Sequence, residues 1–233
     1  MARRSGIFRR ALRLAQALIG GERYPRVEIQ CRTERFGSDY GGWDVAVDGL
    51  HAGSIVYSFG IGEDASFDLG LIQRFGLTVH GFDPTPRSLG WVERQRLPTE
   101  FIMHAYGIGE RDGLVSFFPP HKPEHVSHSV LPPGSTRARP ITVPLRRLAS
   151  IMQELGHDHL DLLKLDIEGA EYAVIEDLER SDVRPAQILV EFHHRFPAVG
   201  FGKTRAALAA LRRLEYRLFA VSPGGEEYGF VRC

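Results

Sequence analysis

Short apolar runs alternate with longer amphipathic segments along most of this chain. The runs IVYSF, LTVHGFD, FIMHAYGI, LVSFF, DLLKLD and QILVEF have the length and composition of buried strands. Apolar residues recur at helical spacing in ASFDLGLIQRFG, WVERQRL, EGAEYAVIEDLE and TRAALAALRRL, and ITVPLRRLASIMQELG combines a strand edge with a helix. YRLFAVS and EYGFVRC make a closing pair of strands. Strands that alternate with helices predict an α/β fold whose mostly parallel sheet is covered on both faces.

Two stretches fall outside this alternation. Residues 1–50 begin with a basic amphipathic segment, which predicts an arm or helical extension that packs on the domain or touches an anionic membrane surface. Residues 119–140 are rich in proline and contain His121, His125 and His128, which is typical of a lid or a long irregular connection. We therefore predict one domain, residues 51–233, with the lid as an insertion.

Charge and cysteine content exclude several classes of protein. Lys plus Arg and Asp plus Glu number 29 each among the 233 residues, so the formal net charge is zero and no nucleic-acid partner is expected. Cys31 and Cys233 lie near opposite ends without zinc-finger spacing, which argues against a structural zinc site and a disulfide framework. No apolar run reaches the roughly 18 residues of a membrane span. A reduced, cytoplasmic setting is the expectation.

A glycine-bearing turn, SFGIGEDAS, follows the strand IVYSF and opens a helix. Gly60, Gly62 and Ala65 satisfy the G-x-G-x-x-G/A pattern of dinucleotide sites. Asp83, at the end of the second strand, stands where a ribose-binding carboxylate belongs. The pattern therefore predicts a site for a nucleoside-containing cofactor, and taken alone it favours a nicotinamide dinucleotide.

Two acids in the same turn argue against that dinucleotide. Glu63 and Asp64 would repel a pyrophosphate at the start of the helix. S-adenosylmethionine also offers a ribose to Asp83 but carries an ammonium and a sulfonium cation in place of phosphates, so it is compatible with acid near the turn. The alternative is that both acids only complement the helix dipole.

The segments VYSFGIGEDASFD, VHGFDPTP and LLKLDIEGAEY resemble the FkbM family of class I S-adenosylmethionine-dependent methyltransferases. The resemblance runs from about residue 55 to about residue 196, and KLDIEGAE is its specific part. It implies a Rossmann-like, doubly wound sheet of seven strands with an antiparallel last strand, and methyl transfer usually to a hydroxyl oxygen. The candidate cofactor-binding residues are Phe59, Gly60, Gly62, Glu63, Asp64, Asp83, Tyr106 and Asp166.

Four carboxylates follow the apolar run LLKL, namely Asp166, Glu168, Glu171 and Glu176. Asp166 ends the predicted strand, and the carboxyl ends of strands are where open α/β sheets build their sites. Glu168 and Glu171 fall on the first turns of the next helix, where dipole complementarity is enough to explain them. We therefore predict Asp166 as the carboxylate of the reaction centre.

The next strand delivers acid and imidazole together, in ILVEFHHRF. Alternation along extended backbone points Glu191 and His193 to one side and His194 to the other. Asp166, Glu191 and His193 are candidate ligands of a hard divalent cation, Mg²⁺ or Mn²⁺. His193 or His194 is the candidate base that removes a proton from the acceptor. The alternatives are a salt-linked network without a metal and a plain surface histidine pair.

These features together predict an S-adenosylmethionine-dependent O-methyltransferase that acts on a hydroxyl of a sugar, a glycan or another small molecule. Ser58 stands where class I enzymes commonly carry an acid, so the contact to the cofactor amino group falls to Glu63 or Asp64. Two other functions stay open, a nicotinamide-dependent oxidoreductase and a non-catalytic nucleoside binder. A homo-oligomer is compatible with the sequence, and the basic arm is the candidate for a weak membrane or partner contact.

Overall fold

A seven-stranded sheet lies at the centre of the protein in a computed structural model, which describes residues 25–39, 41–118, 140–196 and 199–233. The strands are β1 (Thr33–Phe36), β2 (Trp43–Ala46), β3 (Ile55–Phe59), β4 (Thr78–Phe82), β5 (Phe101–His104), β6 (Gly107–Ile108), β7 (Gly113–Phe117), β8 (Ile141–Arg146), β9 (Leu162–Leu165), β10 (Gln187–Glu191), β11 (Tyr216–Val221) and β12 (Glu227–Arg232). The helices are α1 (Ser66–Phe75), α2 (Pro86–Arg94), α3 (Leu148–Leu155), α4 (Glu171–Arg180) and α5 (Gly200–Arg213).

The order of the central sheet is β11-β12-β10-β9-β3-β4-β5. β10, β9, β3, β4 and β5 pair in parallel, whereas β12 is antiparallel to both β10 and β11. The predicted doubly wound α/β fold with an antiparallel last strand is confirmed. The chain proceeds from β3 outward through β4 and β5, and later through β9 and β10 on the other side. Ligands of such sheets bind beyond the carboxyl ends of the strands at this reversal, between β3 and β9.

Two hydrophobic clusters occupy opposite faces of the sheet. On one face, α1 and the hairpin β1–β2 pack against Val56, Val79 and Leu162. On the other face, α3, α4 and α5 pack against Tyr57 and Leu163. Adjacent residues of one strand therefore enter different clusters, as the pleat requires. Burial on both faces is the reason that these strands read as unbroken apolar runs.

One predicted strand is wrong in detail. FIMHAYGI divides into β5, which lies in the central sheet, and β6, which pairs with β8 in a separate three-stranded sheet of order β6-β8-β7. The helix predicted from WVERQRL is observed at Pro86–Arg94, so it both begins and ends earlier than predicted. It begins at Pro86 because the fixed φ of proline suits the first position of a helix.

The hairpin β1–β2 lies within the residues predicted as an N-terminal extension. Phe36, Trp43 and Val45 are buried in the same cluster as α1, so residues 33–46 contribute to the domain core. The basic residues 1–24 and the lid residues 119–139, with their three histidines, lie outside the described residues. None of the described helices combines the length and the apolarity needed to span a bilayer.

A cluster of histidines is buried on the face that α3 covers. Nδ1 of His80 lies 3.0 Å from Nε2 of His104, and the Tyr57 hydroxyl lies 2.7 Å from Nδ1 of His157. The rings of His80 and His157 are 4.9 Å apart between centroids. Burial, together with the charges of His104 and His157, lowers the pKa of His80 to about 4. His80 is therefore neutral in the folded protein at neutral pH.

Acid is expected to destabilise the protein through His80. Its pKa is lower in the folded state than its ordinary value of 6.5, so the unfolded chain binds more protons between pH 6.5 and pH 4. Stability from this group is complete above pH 6.5 and is lost as the pH falls through that window. Between pH 7 and pH 5 the wild type should lose about 2 kcal/mol more in free energy of unfolding than His80→Phe, measured by urea titration. Equal losses would contradict a neutral His80.

Candidate active site

The glycine turn after β3 packs directly against the chain that leaves β9. Gly60 has φ of 84° and donates its N–H to the Phe82 carbonyl at 3.0 Å. A Cβ at Gly60 would lie 1.8 Å from the carbonyl oxygen of Asp166, and the Asp166 N–H donates to the Phe59 carbonyl at 3.1 Å. The first glycine of the motif therefore brings the turn into contact with the residue predicted to belong to the reaction centre.

Asp83 connects this turn to the end of β4. Its Oδ2 accepts the N–H of Gly62 at 3.0 Å, and its Oδ1 accepts the N–H and the hydroxyl of Thr85 at 2.9 and 2.7 Å. Asp83 is only 6% exposed. Three of the roughly four acceptor positions of a carboxylate are thus occupied within the protein, which leaves room for one hydroxyl of a ribose.

Replacement of Asp83 by alanine should weaken S-adenosylhomocysteine binding about 10- to 100-fold, the scale of a lost hydrogen bond to a charged group. The contacts to Gly62 and Thr85 imply a second effect, a loss of about 1–3 kcal/mol in stability, because the buried N–H and hydroxyl of Thr85 lose their acceptor. Titration calorimetry and urea unfolding measure the two effects separately, with Asp182→Ala as the exposed control. Reduced stability with unchanged affinity would show that Asp83 stabilises the turn and does not bind the cofactor.

The two acids of the glycine turn already have partners. Glu63 forms an ion pair with Arg87 at 2.8 Å, and the Arg87 hydrogen bond holds the pKa of Glu63 below its usual range. Asp64 accepts the N–H of Ser66, the first residue of α1, and the hydroxyl of Ser38, at 2.9 and 2.7 Å. Burial alone would raise the pKa of Asp64, but the bonds from Ser66 and Ser38 lower it. Their predicted contact with the cofactor amino group stays a prediction.

Asp166, Glu191 and His193 meet beyond the carboxyl ends of β9 and β10. One ligand atom from each of the three lies within 4.8 Å of the others. Nε2 of His193 is 3.9 Å from Glu191 Oε1 and 3.4 Å from Glu168 Oε2. The structure thus brings together the residues that the sequence predicted as metal ligands, and we refer to these three as the acid–imidazole cluster. Its catalytic role stays a prediction.

Glu171 contacts His193 of the acid–imidazole cluster, so its role is not limited to complementing the helix dipole. It is fully buried, and its carboxylate accepts the N–H of His193 at 2.9 Å and the N–H of Gly169 at 2.8 Å. The same carboxylate lies 3.4 Å from Nδ1 of His193. The loop after β9 bends back through Glu168, at φ of 51°, and Gly169, at φ of 99°. Glu176, in contrast, is exposed and pairs with Arg180 on the surface of α4.

Two members of the acid–imidazole cluster, Glu191 and His193, have raised pKa values. Burial, the adjacent charge of Asp166 and a shared hydrogen bond raise the pKa of Glu191 well above its ordinary value. Burial opposes a charge on His193, yet Glu171, Glu168 and Glu191 together raise the pKa of His193 to about 10. Near neutral pH the imidazole is therefore charged, and the prediction of His193 as a free base does not suit this state. Strong perturbation of this kind is typical of functional sites.

His194 and Tyr106 lie in different surroundings. The His194 ring packs edge-on against Phe201, and burial together with the charge of Arg195 lowers the pKa of His194, so this imidazole is neutral near pH 7. The Tyr106 ring packs against Phe82 at a tilt of 51°, with the ring centroids 5.4 Å apart, and its buried hydroxyl has no hydrogen-bond partner among the described residues. His194 thus has the protonation state that a base needs, but it packs against α5 and is not a member of the acid–imidazole cluster, so its catalytic role stays a prediction.

Two buried charged residues near the glycine turn were not identified from the sequence. Lys164 in β9 and Asp68 in α1 are 5% and 2% exposed. Burial raises the pKa of Asp68 to about 6, with Lys164 and the hydroxyl of Ser58 opposing that rise. Each charge interrupts an otherwise apolar stretch, in LLKL and in SFDLGLI, which is the signal that could have drawn attention to them. Ser58 itself is fully buried, which removes it from direct contact with a ligand.

Comparison with known proteins agrees with this geometry. The family model described as "Methyltransferase FkbM domain" matches residues 58–218. The "Probable methyltransferase-like protein 24" of Rattus norvegicus is 31% identical over 175 residues, which cover 70% of this chain and 42% of that protein. The human protein of the same name is 30% identical and is covered to 41%. This chain therefore spans less than half the length of these curated relatives.

A solved structure shows the same fold. The methyltransferase FkbM from Methylobacillus flagellatus KT superposes with a TM-score of 0.50 at 17% sequence identity, covering 78% of this chain and 44% of that one. At this identity the likeness concerns the fold alone. The family match extends over more than half of the sequence and includes the glycine turn, Asp83 and the acid–imidazole cluster. This chain belongs to the FkbM family of class I S-adenosylmethionine-dependent methyltransferases.

Proposed function

We propose that this protein transfers the methyl group of S-adenosylmethionine to a hydroxyl oxygen of a sugar, a glycan or another small molecule. The observation that carries the proposal is the acid–imidazole cluster, because it adjoins the glycine turn through the contact of Gly60 with Asp166. A hydroxyl must lose its proton as it accepts a methyl group. Groups that exchange protons are therefore needed next to the cofactor.

The residues of the turn suit this cofactor. A Cβ at Gly62 would meet no atom of the described residues within 4 Å, so the described backbone has open space beside it there. Asp83 keeps one acceptor position for a ribose hydroxyl, and the Tyr106 hydroxyl, which has no partner in the described part of the chain, is a further polar group for the nucleoside. When bound, S-adenosylmethionine supplies an electrophilic methyl carbon. The task left to the chain is to hold donor and acceptor in line and to receive the acceptor proton.

Two groups are candidates to receive that proton. The Asp166–Glu191 pair is one, because Glu191, whose pKa burial and the charge of Asp166 raise, can release a proton to solvent and take one up from a substrate. The neutral imidazole of His194 is the other. The charged His193 lies 3.4 Å from Glu168 and 3.9 Å from Glu191 and so offsets the negative charge of the carboxylates around it.

The acid–imidazole cluster also fits a divalent cation. Two carboxylates and one imidazole are a suitable donor set for Mg²⁺ or Mn²⁺, and their ligand atoms already lie within 4.8 Å of one another. A bound cation would favour the ionised form of an acceptor hydroxyl. Its binding requires His193 and Glu191 to give up their protons, so affinity should rise with pH.

The function is tested by methyl transfer from labelled S-adenosylmethionine to a panel of monosaccharides and glycans, each paired with the analogue that lacks or blocks the candidate hydroxyl. Label in the hydroxyl compound and not in its analogue is the expected result. Tight binding of S-adenosylhomocysteine without transfer to any acceptor would instead favour the non-catalytic nucleoside binder. Binding of a nicotinamide dinucleotide in its place would favour the oxidoreductase.

Removal of divalent cations should lower turnover by about 100-fold if the acid–imidazole cluster holds a metal, and added Mg²⁺ or Mn²⁺ should restore it. The added ion should not restore Glu191→Gln, which lacks one of the ligand oxygens. Glu176→Gln, on the exposed surface of α4, is the matched control. If a chelator does not change the activity, the cluster holds no metal needed for turnover, and the Asp166–Glu191 pair or His194 must accept the proton without one.

A further inference from the structure

Lys164 is buried where the two halves of the candidate active site meet. It is the charged residue within the apolar strand β9, and only 5% of it is exposed. Register places Lys164 beside Ser58 of β3, on the face that α1 covers. Lysine is rarely buried to this degree unless its ammonium group is compensated. The contacts of this ammonium group therefore indicate which groups compensate its charge and what role the buried lysine has.

The ammonium group reaches both sides of the site. Nζ donates to the carbonyl of Phe59 at 3.4 Å and to the carbonyl of Gly60 at 3.2 Å, at the turn assigned to the cofactor. It also lies 4.0 Å from Oδ2 of Asp166, in the acid–imidazole cluster. One cation thus contacts the backbone on the donor side and the carboxylate on the acceptor side.

Aromatic rings and buried acid hold the ammonium group in place. The ring centroids of Trp43 and Phe67 lie 5.5 and 5.9 Å from Nζ, within the range of cation–π attraction. Asp68, almost fully buried in the first turn of α1, supplies a nearby negative charge. These partners come from the hairpin and from α1, and the carbonyls of Phe59 and Gly60 follow β3, so three elements enclose the lysine. A side chain held in this way has little freedom to move.

We propose that Lys164 is a positioning residue for methyl transfer: it fixes the glycine turn against the Asp166 carboxylate and so sets the distance between cofactor and acceptor. This role deepens the proposed function and rests on it. Lys164 does not touch the reacting atoms. It acts through the carbonyls of Phe59 and Gly60 and through Asp166.

The test distinguishes a positioning role of Lys164 from a role limited to neutralising the charge of Asp68. Lys164→Met alone leaves Asp68 buried without its cation and is expected to unfold easily, so the informative variant is Lys164→Met/Asp68→Asn, in which both charges are absent. Its urea midpoint should return close to that of the wild type. Its affinity for S-adenosylhomocysteine should nevertheless be about 10-fold weaker and its turnover about 30-fold lower, with an unchanged KM for the acceptor. Asp68→Asn alone is the matched control, with affinity within about 2-fold of the wild type.

A second variant covers a failure to fold. In Lys164→Gln/Asp68→Asn the amide, one bond shorter than the lysine side chain, keeps a donor directed toward the two carbonyls but offers no charge to Asp166, so cofactor affinity should recover in part while turnover stays about 10-fold low. Wild-type affinity in the methionine double variant, or wild-type turnover in the glutamine double variant, would reduce Lys164 to a counter-ion of Asp68. If the wild type methylates no acceptor, the proposed function fails, whereas the S-adenosylhomocysteine affinities still decide the role of Lys164 at the turn.

Discussion

The Asp166→Asn variant is expected to turn over about 100-fold more slowly than the wild type while it binds S-adenosylmethionine within a few-fold of the wild-type affinity. The substitution keeps the volume of the side chain and removes its charge. Burial and the charge of Asp166 raise the pKa of Glu191, and both residues belong to the acid–imidazole cluster, so the change removes half of the carboxylate pair. The backbone contacts of Asp166 to the glycine turn are kept, and the cofactor site should therefore survive. Single-turnover rates and calorimetry measure the two quantities.

The pH profile gives this prediction a second readout. After burial, the charge of Asp166 is the largest cause of the raised pKa of Glu191. In Asp166→Asn the pKa of Glu191 should therefore fall, and the residual activity should reach its half-maximum at a lower pH than in the wild type. Glu168→Gln, which leaves both members of the pair in place, should cost much less. Wild-type turnover in Asp166→Asn would place the reaction centre elsewhere and leave the carboxylates as a structural arrangement.

The Gly60→Ala variant is expected to lose about 4 kcal/mol or more in free energy of unfolding, enough to unfold a marginally stable domain. Its Cβ would lie 1.8 Å from a backbone oxygen, that of Asp166, and φ of 84° is in the region that side chains disfavour. Backbone atoms must move by more than 1 Å to relieve such a contact, because Cβ and oxygen atoms normally stay roughly 3 Å apart. Urea unfolding followed by circular dichroism measures the loss.

Gly62→Ala is the matched control for this experiment. Gly62 also has positive φ, 58°, but a Cβ there meets no atom within 4 Å. The expected stability loss is about 1 kcal/mol, the backbone cost alone. Because that open space is assigned to the cofactor, Gly62→Ala should fold and bind S-adenosylmethionine more weakly. Similar stability losses in the two variants would show that φ, and not the contact with Asp166, explains Gly60.

Much of the sheet could be predicted because its strands are buried on both faces. Runs such as IVYSF and QILVEF have too few polar residues to lie on a surface, and their alternation with amphipathic helices leaves few parallel topologies open. The meeting of Glu191 and His193 also followed from local backbone geometry, since extended chain points them to the same side. β6, with two residues, is too short to have a pattern of its own and was merged with β5.

The electrostatics of the site could not be predicted from local sequence. Lys164 contacts the carbonyl of Phe59, which is 105 residues away, and this contact exists only because β9 pairs with β3. In the same way, the charged state of His193, which follows β10, depends on Glu171, which reaches it from α4. A charge in an apolar run indicates that compensation exists. The identity of the compensating groups requires the tertiary structure.

The position of β12 has a consequence for biosynthesis. In the central sheet β10 pairs with β9 on one side and with β12 on the other, and among the described strands β11 pairs with β12 alone. One edge of β10 therefore stays unpaired until residues 227–232 have been made. At about 5–20 residues per second, the edge of β10 stays open for a few seconds after it leaves the ribosome. An apolar open edge is a template for pairing with a neighbouring nascent chain. The yield of protein on a polysome is therefore expected to depend on chaperones that cover this edge during translation.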